Sequence, residues 1–197
     1  MRNYRILWFL LPLVGLNKAF ACDEYEPFTL EEIKEFRAVL QNKESSSLDM
    51  LFAFEQMACS DRPTVRHFAL EEGLKNFKDP LVRNEILLRA IMQKSTINIV
   101  LSETRDLTSK DKAFIAQHAG VYSHDIVYRS MPDGCIGLYT KDCQVAYSVF
   151  IHGDKVQFRY GVIIGEFVLA DTNELVGTIR GGKTKDYTQI PAVIKLL

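Results

Sequence analysis

Tryptophan occurs once and histidine four times in this 197-residue chain, which contains no Gly-x-Ser-x-Gly string and no Asn-x-Ser/Thr sequon. Without the first, a serine hydrolase lacks the strained turn that presents its nucleophile. Without the second there is no acceptor for N-linked sugars, which fits a bacterial envelope better than a eukaryotic secretory route. Basic residues are also in short supply past position 21. The 24 Lys and Arg fall to 21 once Arg2, Arg5 and Lys18 are set aside, against 25 Asp and Glu, a balance of −4. A nucleic-acid binder needs a basic footprint, and none is visible. Long apolar stretches are missing from the same region. Each is broken within about ten positions, short of the ~20 residues that a membrane-spanning helix requires.

The first 21 residues are different. Arg2 and Arg5 precede an apolar stretch over residues 6–16, interrupted only by Pro12 and Gly15, and Ala19-Phe20-Ala21 follows as a small-x-small pattern. A basic start, a short apolar core and such a site make a cleavable export signal. The expected mature chain begins at Cys22, is soluble, and works in a periplasm or outside the cell, with the bacterial envelope favoured.

All four cysteines, Cys22, Cys59, Cys135 and Cys143, lie beyond that site. An even number in an exported chain points to two disulfides. Three pairings are possible; Cys22 with Cys59 and Cys135 with Cys143 is preferred because each pair stays within one half of the chain. Cys22 carries a rival reading, since a cysteine directly after the cleavage site is where bacterial lipoproteins are acylated, and an acyl chain would tether the protein to a membrane. Against it, Phe20 and Ala19 depart from the usual residues before such a cysteine, and Cys59 would lose its partner.

Apolar spacing divides the chain into a leader (1–21), a helical region (22–120) and an antiparallel β region (121–197). The expected fold class is α+β, an antiparallel helical stack followed by an antiparallel β-meander. Thr29 and Glu32 form a capping box, with Phe28 and Ile33 as a hydrophobic staple. Ser46 or Ser47 caps a second helix whose apolar residues fall nearly all round, which predicts the central, buried helix. Pro63-Thr-Val65-Arg66 and Pro80-Leu-Val82-Arg83 then repeat at an offset of 17 residues, which also relates Ala69 to Ile86, Leu70 to Leu87 and Leu74 to Ile91. Each proline suits a first helical turn. Residues 46–95 resemble HEAT-like helical hairpins, in which a Pro-x-Val-Arg start is common. The resemblance implies a helical stack that offers a partner-binding surface.

A short helix is expected from Thr108 or Ser109 to Gly120, a left-handed cap residue, while residues 97–106 read as a connector. From there the pattern alternates. Residues 145–151 and 155–160 flank Gly153-Asp154 as a β-hairpin, further strands follow over 162–170 and 175–180, and 191–197 reads as a last edge strand because of Pro191. The meander is expected to curl into a half-barrel.

Three motifs suggest chemistry. The string from Gly177 to Thr184 satisfies the Walker A pattern, but a phosphate loop needs a parallel strand before it and a helix after it, and neither fits here. Nucleotide is therefore not expected. His118, His124 and Asp125 offer donors suited to zinc, at a spacing that matches no standard site. Ser123-His124-Asp125 are sequence neighbours, which is poor geometry for a relay. The β region is rich in tyrosine, at 122, 128, 139, 147 and 160, a residue enriched in strands and at protein interfaces.

No cofactor, metal site or catalytic residue is assigned. The expected function is that of an exported interaction protein with a protein partner, of the periplasmic inhibitor or immunity type. The alternatives are a small envelope hydrolase or metal-dependent enzyme centred on His118, His124 and Asp125, and a lipid-tethered envelope component.

Overall fold

A computed structural model describes residues 22, 25–77, 79–181 and 188–197. The expected leader, and residues 182–184 of the Walker-like string, lie outside them.

Four helices come first: α1 Leu30–Gln41, α2 Ser47–Ala58, α3 Pro63–Asn76 and α4 Pro80–Met92. Their starts are chemically specified. The Glu32 N–H donates to Thr29 Oγ1 at 3.2 Å and the Thr29 N–H donates to Glu32 Oε2 at 2.8 Å, so each side chain accepts from the other residue's otherwise unpaired amide. The hydrogen bonds from Thr29 also hold the Glu32 carboxyl below its ordinary value. Phe28, just before this cap, meets Phe36 edge-on at 5.6 Å. Ser46 caps α2 by accepting from the Asp49 N–H, and Pro63 and Pro80 are the first residues of α3 and α4. The 17-residue repeat relates buried positions to buried positions, since Ala69, Leu70 and Leu74 are as inaccessible as Ile86, Leu87 and Ile91.

Helix α2 packs against both α1 and α3, but the most deeply buried helix is α4. On α2, Leu48 and Phe52 are exposed, at 75% and 56%, whereas α4 buries an unbroken run from Ile86 to Met92 that includes Arg89. Past the end of α4, Arg129 reaches across from the sheet, its Nε donating to the Met92 carbonyl at 2.8 Å and its Nη2 to the Lys94 carbonyl at 2.5 Å. Helices and sheet share one apolar cluster from Leu40 to Leu196.

The sheet begins earlier than the periodicity suggests. Residues 97–101, expected in a connector, belong to β1 Thr96–Leu101, whose side chains alternate between buried and exposed. After it come α5 Ser109–Gln117, β2 Val121–Asp125, β3 Tyr128–Ser130, β4 Cys135–Gly137, β5 Ser148–His152, β6 Lys155–Tyr160, β7 Ile163–Leu169, β8 Glu174–Arg180 and β9 Ile190–Lys195. Gly153-Asp154 forms the β5–β6 turn, but Val145 and Tyr147, expected in the strand before it, lie in a 3-10 turn. The nine strands follow the order β2-β1-β9-β8-β7-β6-β5-β4-β3, with every pairing antiparallel.

Strand β9 is therefore interior to the sheet, not an edge. Pro191 is tolerated there because its polar side faces the end of β1, where its carbonyl accepts from the Ser102 N–H at 2.8 Å. Its missing N–H costs the ladder only a terminal bond.

Strand parity shows how the sheet closes. In a nine-strand antiparallel sheet the first and last strands run the same way, and here these are β2 and β3, consecutive in sequence and separated only by Ile126 and Val127. A flat sheet would hold its edges about 38 Å apart, at roughly 4.8 Å per strand, whereas the step from residue 125 to 128 covers at most about 11 Å. The sheet must curl into a barrel, and residues 121–130 are one bent strand at its seam. The change of partner is sharp: the Ile126 N–H donates to the Ser95 carbonyl on the β1 side, and the Val127 N–H to the Gly137 carbonyl on the β4 side. Ile97, Ile99, Phe158, Phe167 and Leu175, all at most 1% exposed, fill the interior, as in other barrels of this size.

Helix α5 is tied down at its start by Asp111, which is fully buried. Its carboxylate accepts from Thr108 N–H and Oγ1 at 3.0 and 2.6 Å, and from Thr188 Oγ1 at 2.7 Å, just ahead of β9. At the other end the left-handed turn begins one residue before Gly120, at Ala119 (φ 49°), and continues through Gly120 (φ 79°). The Gly120 N–H donates to the Ile115 carbonyl and the Ala119 N–H to the Ala116 carbonyl, a Schellman closure.

Candidate interaction site at the barrel seam

Where β2 bends away toward β4, the barrel wall opens. Pairing of β4 with the bent strand ends at Gly137, opposite Tyr128, while the Leu138 N–H extends the β4–β5 ladder to the Tyr147 carbonyl at 2.9 Å. Cys135 is bonded to Cys143 and closes the intervening loop. Two further bonds hold the loop's return, from Ser148 Oγ to the Gln144 carbonyl at 2.6 Å and from the Gly161 N–H to the Ala146 carbonyl at 2.7 Å. Between this loop and β2 lies a cavity of about 400 Å³ lined by Ser123, His124, Asp125, Val127, Leu138, Tyr139 and Tyr160.

Aromatic rings run through the seam. His118 and His124 flank Tyr122 at 4.7 and 4.6 Å between ring centroids, His124 stacks on Tyr160 at 3.8 Å, and Tyr160 leads through Tyr147 to Tyr139 in steps of 5.3 Å. Burial pushes the Tyr122 phenol up to about 12, with Tyr160 adding to the effect. Burial, and then His118, lower the His124 pKa, while Asp125 opposes them. Its Nε2 is buried and has no hydrogen-bond partner among the described residues.

The residues singled out for chemistry are brought near one another without converging. Side chains alternate along a strand, so His124 turns inward while Ser123 and Asp125 are exposed, and the Tyr122 ring stands between the two imidazoles. Among the described residues, no group of three or more His, Cys, Asp or Glu side chains is arranged to hold a metal ion. In the Walker-like string, Gly177 to Arg180 belong to β8, where Gly177 pairs with Phe167 and Ala192. A Cβ at Gly177 would run into the Glu166 backbone, so close strand packing accounts for this glycine.

Cys22 is bonded to Cys59. Its sulfur is thereby committed, which leaves no thiol for an acyl chain and removes the attachment atom of the lipid-tethered alternative. Arg89 Nη1 sits 3.7 Å from both sulfurs, while Arg89 Nε pairs with Glu85 at 3.0 Å. Beside this bridge a larger cavity, about 680 Å³, separates the helices from the strand 128–130 and is lined in part by Tyr25, Arg89, Tyr128 and Met131.

Of the tyrosines noted in the sequence, Tyr122 is 5% exposed and Tyr139 is 66% exposed. Val127, Val145 and Val162 add exposed apolar surface around the stapled loop, at 48%, 60% and 45%. Leu48 and Phe52 on α2 and the outward Val100, Val168 and Val176 are further exposed apolar side chains. The seam's far wall is made by Leu138, which no motif signals, and Tyr160, which belongs to the tyrosine-rich set of the β region. Only the loop closure between Cys135 and Cys143 hinted that this region would be held in a set shape.

Comparison with known proteins finds no family, no curated protein and no solved structure that matches the chain.

Proposed function

We propose that this chain is an exported protein that binds another protein, in the manner of a periplasmic inhibitor or immunity-type binder, with the seam end of the barrel as its binding face. The observation that carries the reading is Tyr139, 66% exposed on a loop closed by a disulfide and set beside a cavity of about 400 Å³. A tyrosine held in this way offers large contact area without a further loss of loop entropy on binding. The surrounding valines extend the apolar surface, as an interface core does. Export is supported by the two disulfides, which persist in oxidising compartments. Among the described residues, no helix is long and apolar enough to cross a membrane.

A photo-crosslinking residue placed at position 139 of the exported full chain tests this, with position 75, an exposed site on α3, as the control. A single discrete protein adduct from position 139 that is absent from position 75 is expected in envelope extract. No adduct, or the same adducts from both positions, would overturn the reading. Intact-mass analysis of the same sample is expected to show a chain beginning at Cys22 with four hydrogens fewer than its reduced form.

A further inference from the structure

We infer that the open edge of β2 accepts an extended segment of the partner protein as an added strand, paired through the backbone of Ser123 and Asp125. The inference rests on the binding function proposed above and specifies how that binding works.

The ladder register carries it. In an antiparallel pair, residues alternate between those that exchange bonds with the strand opposite and those whose N–H and C=O point away from it. Residues 122, 124 and 126 bond toward β1, as the Ile126 N–H to Ser95 carbonyl bond and the pairing of Asn98 with Ser123 and Thr96 with Asp125 require. The polar backbone of Ser123 and Asp125 therefore points the other way. One register step further along that side, the Val127 N–H finds Gly137 on β4. At Ser123 and Asp125 that pairing has ended, since its last pair is Tyr128 with Gly137, and among the described residues no backbone bond joins them to the loop closed by Cys135–Cys143. Among the described residues, no strand pairs with this edge. Two N–H and two C=O groups stand in line at the opening, spaced as a sheet edge is.

An exposed edge of this kind is a template for strand addition. The cavity defines what the added segment must carry. Side chains on the inward side of the new strand meet Leu138, Tyr139 and the Tyr160 ring, which suits an apolar or aromatic residue. Those on the outward side pass Asp125, an exposed carboxylate, which suits Lys or Arg. The occupant is thus an extended polypeptide segment in which apolar and basic residues alternate.

The test selects peptides from a random displayed dodecapeptide library on the full mature chain and measures their affinity in solution. Selected peptides are expected to alternate apolar and basic residues. N-methylation at alternate positions, which removes peptide N–H donors, should weaken them at least about tenfold, the loss of one to two net hydrogen bonds. Ser123→Pro removes the outward N–H while leaving the β1 ladder intact, a change that edge strands tolerate, and should weaken them comparably; Asp125→Lys should weaken the basic peptides as well. If Ser123→Pro lowers the melting temperature, the N-methylation comparison on the unaltered chain decides. Failure to enrich any peptide, or affinities indifferent to N-methylation, would overturn the added strand. With the Tyr139 adduct still present, either result leaves the binding function standing. If the adduct is absent too, the reading beneath the inference has failed.

Discussion

The imidazole of His124 lies on the ring of Tyr160, with centroids 3.8 Å apart and planes 28° from parallel, although β2 and β6 share no ladder. Only a curled sheet brings them together, so this contact records the closure of the barrel. It also leaves a titratable ring in the wall with its Nε2 buried and without a partner among the described residues.

That ring makes stability depend on pH. Burial first, and then His118, lower its pKa in the folded chain, with Asp125 opposing. Between the lowered value and the ordinary value of about 6.5, the unfolded chain binds the extra proton. The contribution of His124 is therefore complete above about pH 6.5 and is lost as the pH falls below that. The urea midpoint should drop between about pH 7 and pH 5, and His124→Phe should flatten this slope while changing stability near pH 8 by about 1 kcal/mol or less. A slope unchanged by the substitution would show that another group sets it.

Asp111 links α5 to the start of β9 across 77 residues of sequence. Burial opposes its charge, yet the hydrogen bonds from Thr108 and Thr188 prevail and hold the carboxyl below its ordinary range. Asp111→Ala removes the carboxylate half of the capping box with Thr108 and leaves Thr188 without its acceptor, at an expected cost of about 3 kcal/mol. Because the folded pKa is depressed, this stabilisation is present above about pH 3.9 and disappears as the pH falls through the folded value. Chemical denaturation of the variant at pH 7 measures the first statement, and an acid titration of both chains measures the second.

The two disulfides should separate stability from binding. Cys22 and Cys59 are 37 residues apart, Cys135 and Cys143 only 8. Loop-closure entropy predicts losses of about 4 and about 2.5 kcal/mol when each pair is replaced by serine. The adduct at position 139 should follow the opposite order, surviving loss of the first bridge and weakening with loss of the second. Melting temperatures and cross-linking yields on the same two variants check both orders.

Ala119 adopts φ 49°, a conformation that costs a residue with a Cβ about 1 kcal/mol and glycine far less. Ala119→Gly should stabilise the chain by up to about 1 kcal/mol, an increase of about 2–4 °C in Tm. A fall in Tm would mean that the Cβ makes a contact outweighing the strain.

Local chemistry made much of the fold legible. Thr29, Ser46 and Thr108 start helices where their side chains cap free amides, Pro63 and Pro80 open the next two, and Gly153-Asp154 turns β5 into β6. Each of these is decided within about four residues, which is the range over which capping and turn chemistry acts. What misled was burial judged from composition. On α2, Leu48 and Phe52 look like core residues and are exposed, while α4 buries every residue from Ile86 to Met92, Arg89 included.

The sequence by itself determined the helices, the alternation of the strands and the even set of four cysteines beyond the leader-like segment, since all of these follow from short-range pattern and count. Only the tertiary structure decided that β9 lies inside the sheet, between β1 and β8, that the strand 121–130 bends across a seam, and that Tyr139 faces outward while Tyr122 is buried. Those outcomes depend on ladders between residues such as Ile99 and Ile194, and on a closure imposed by the two residues that join β2 to β3. Periodicity reports which face of a strand is apolar. It carries no record of which strand lies alongside, and at the seam the missing neighbour is what creates the site.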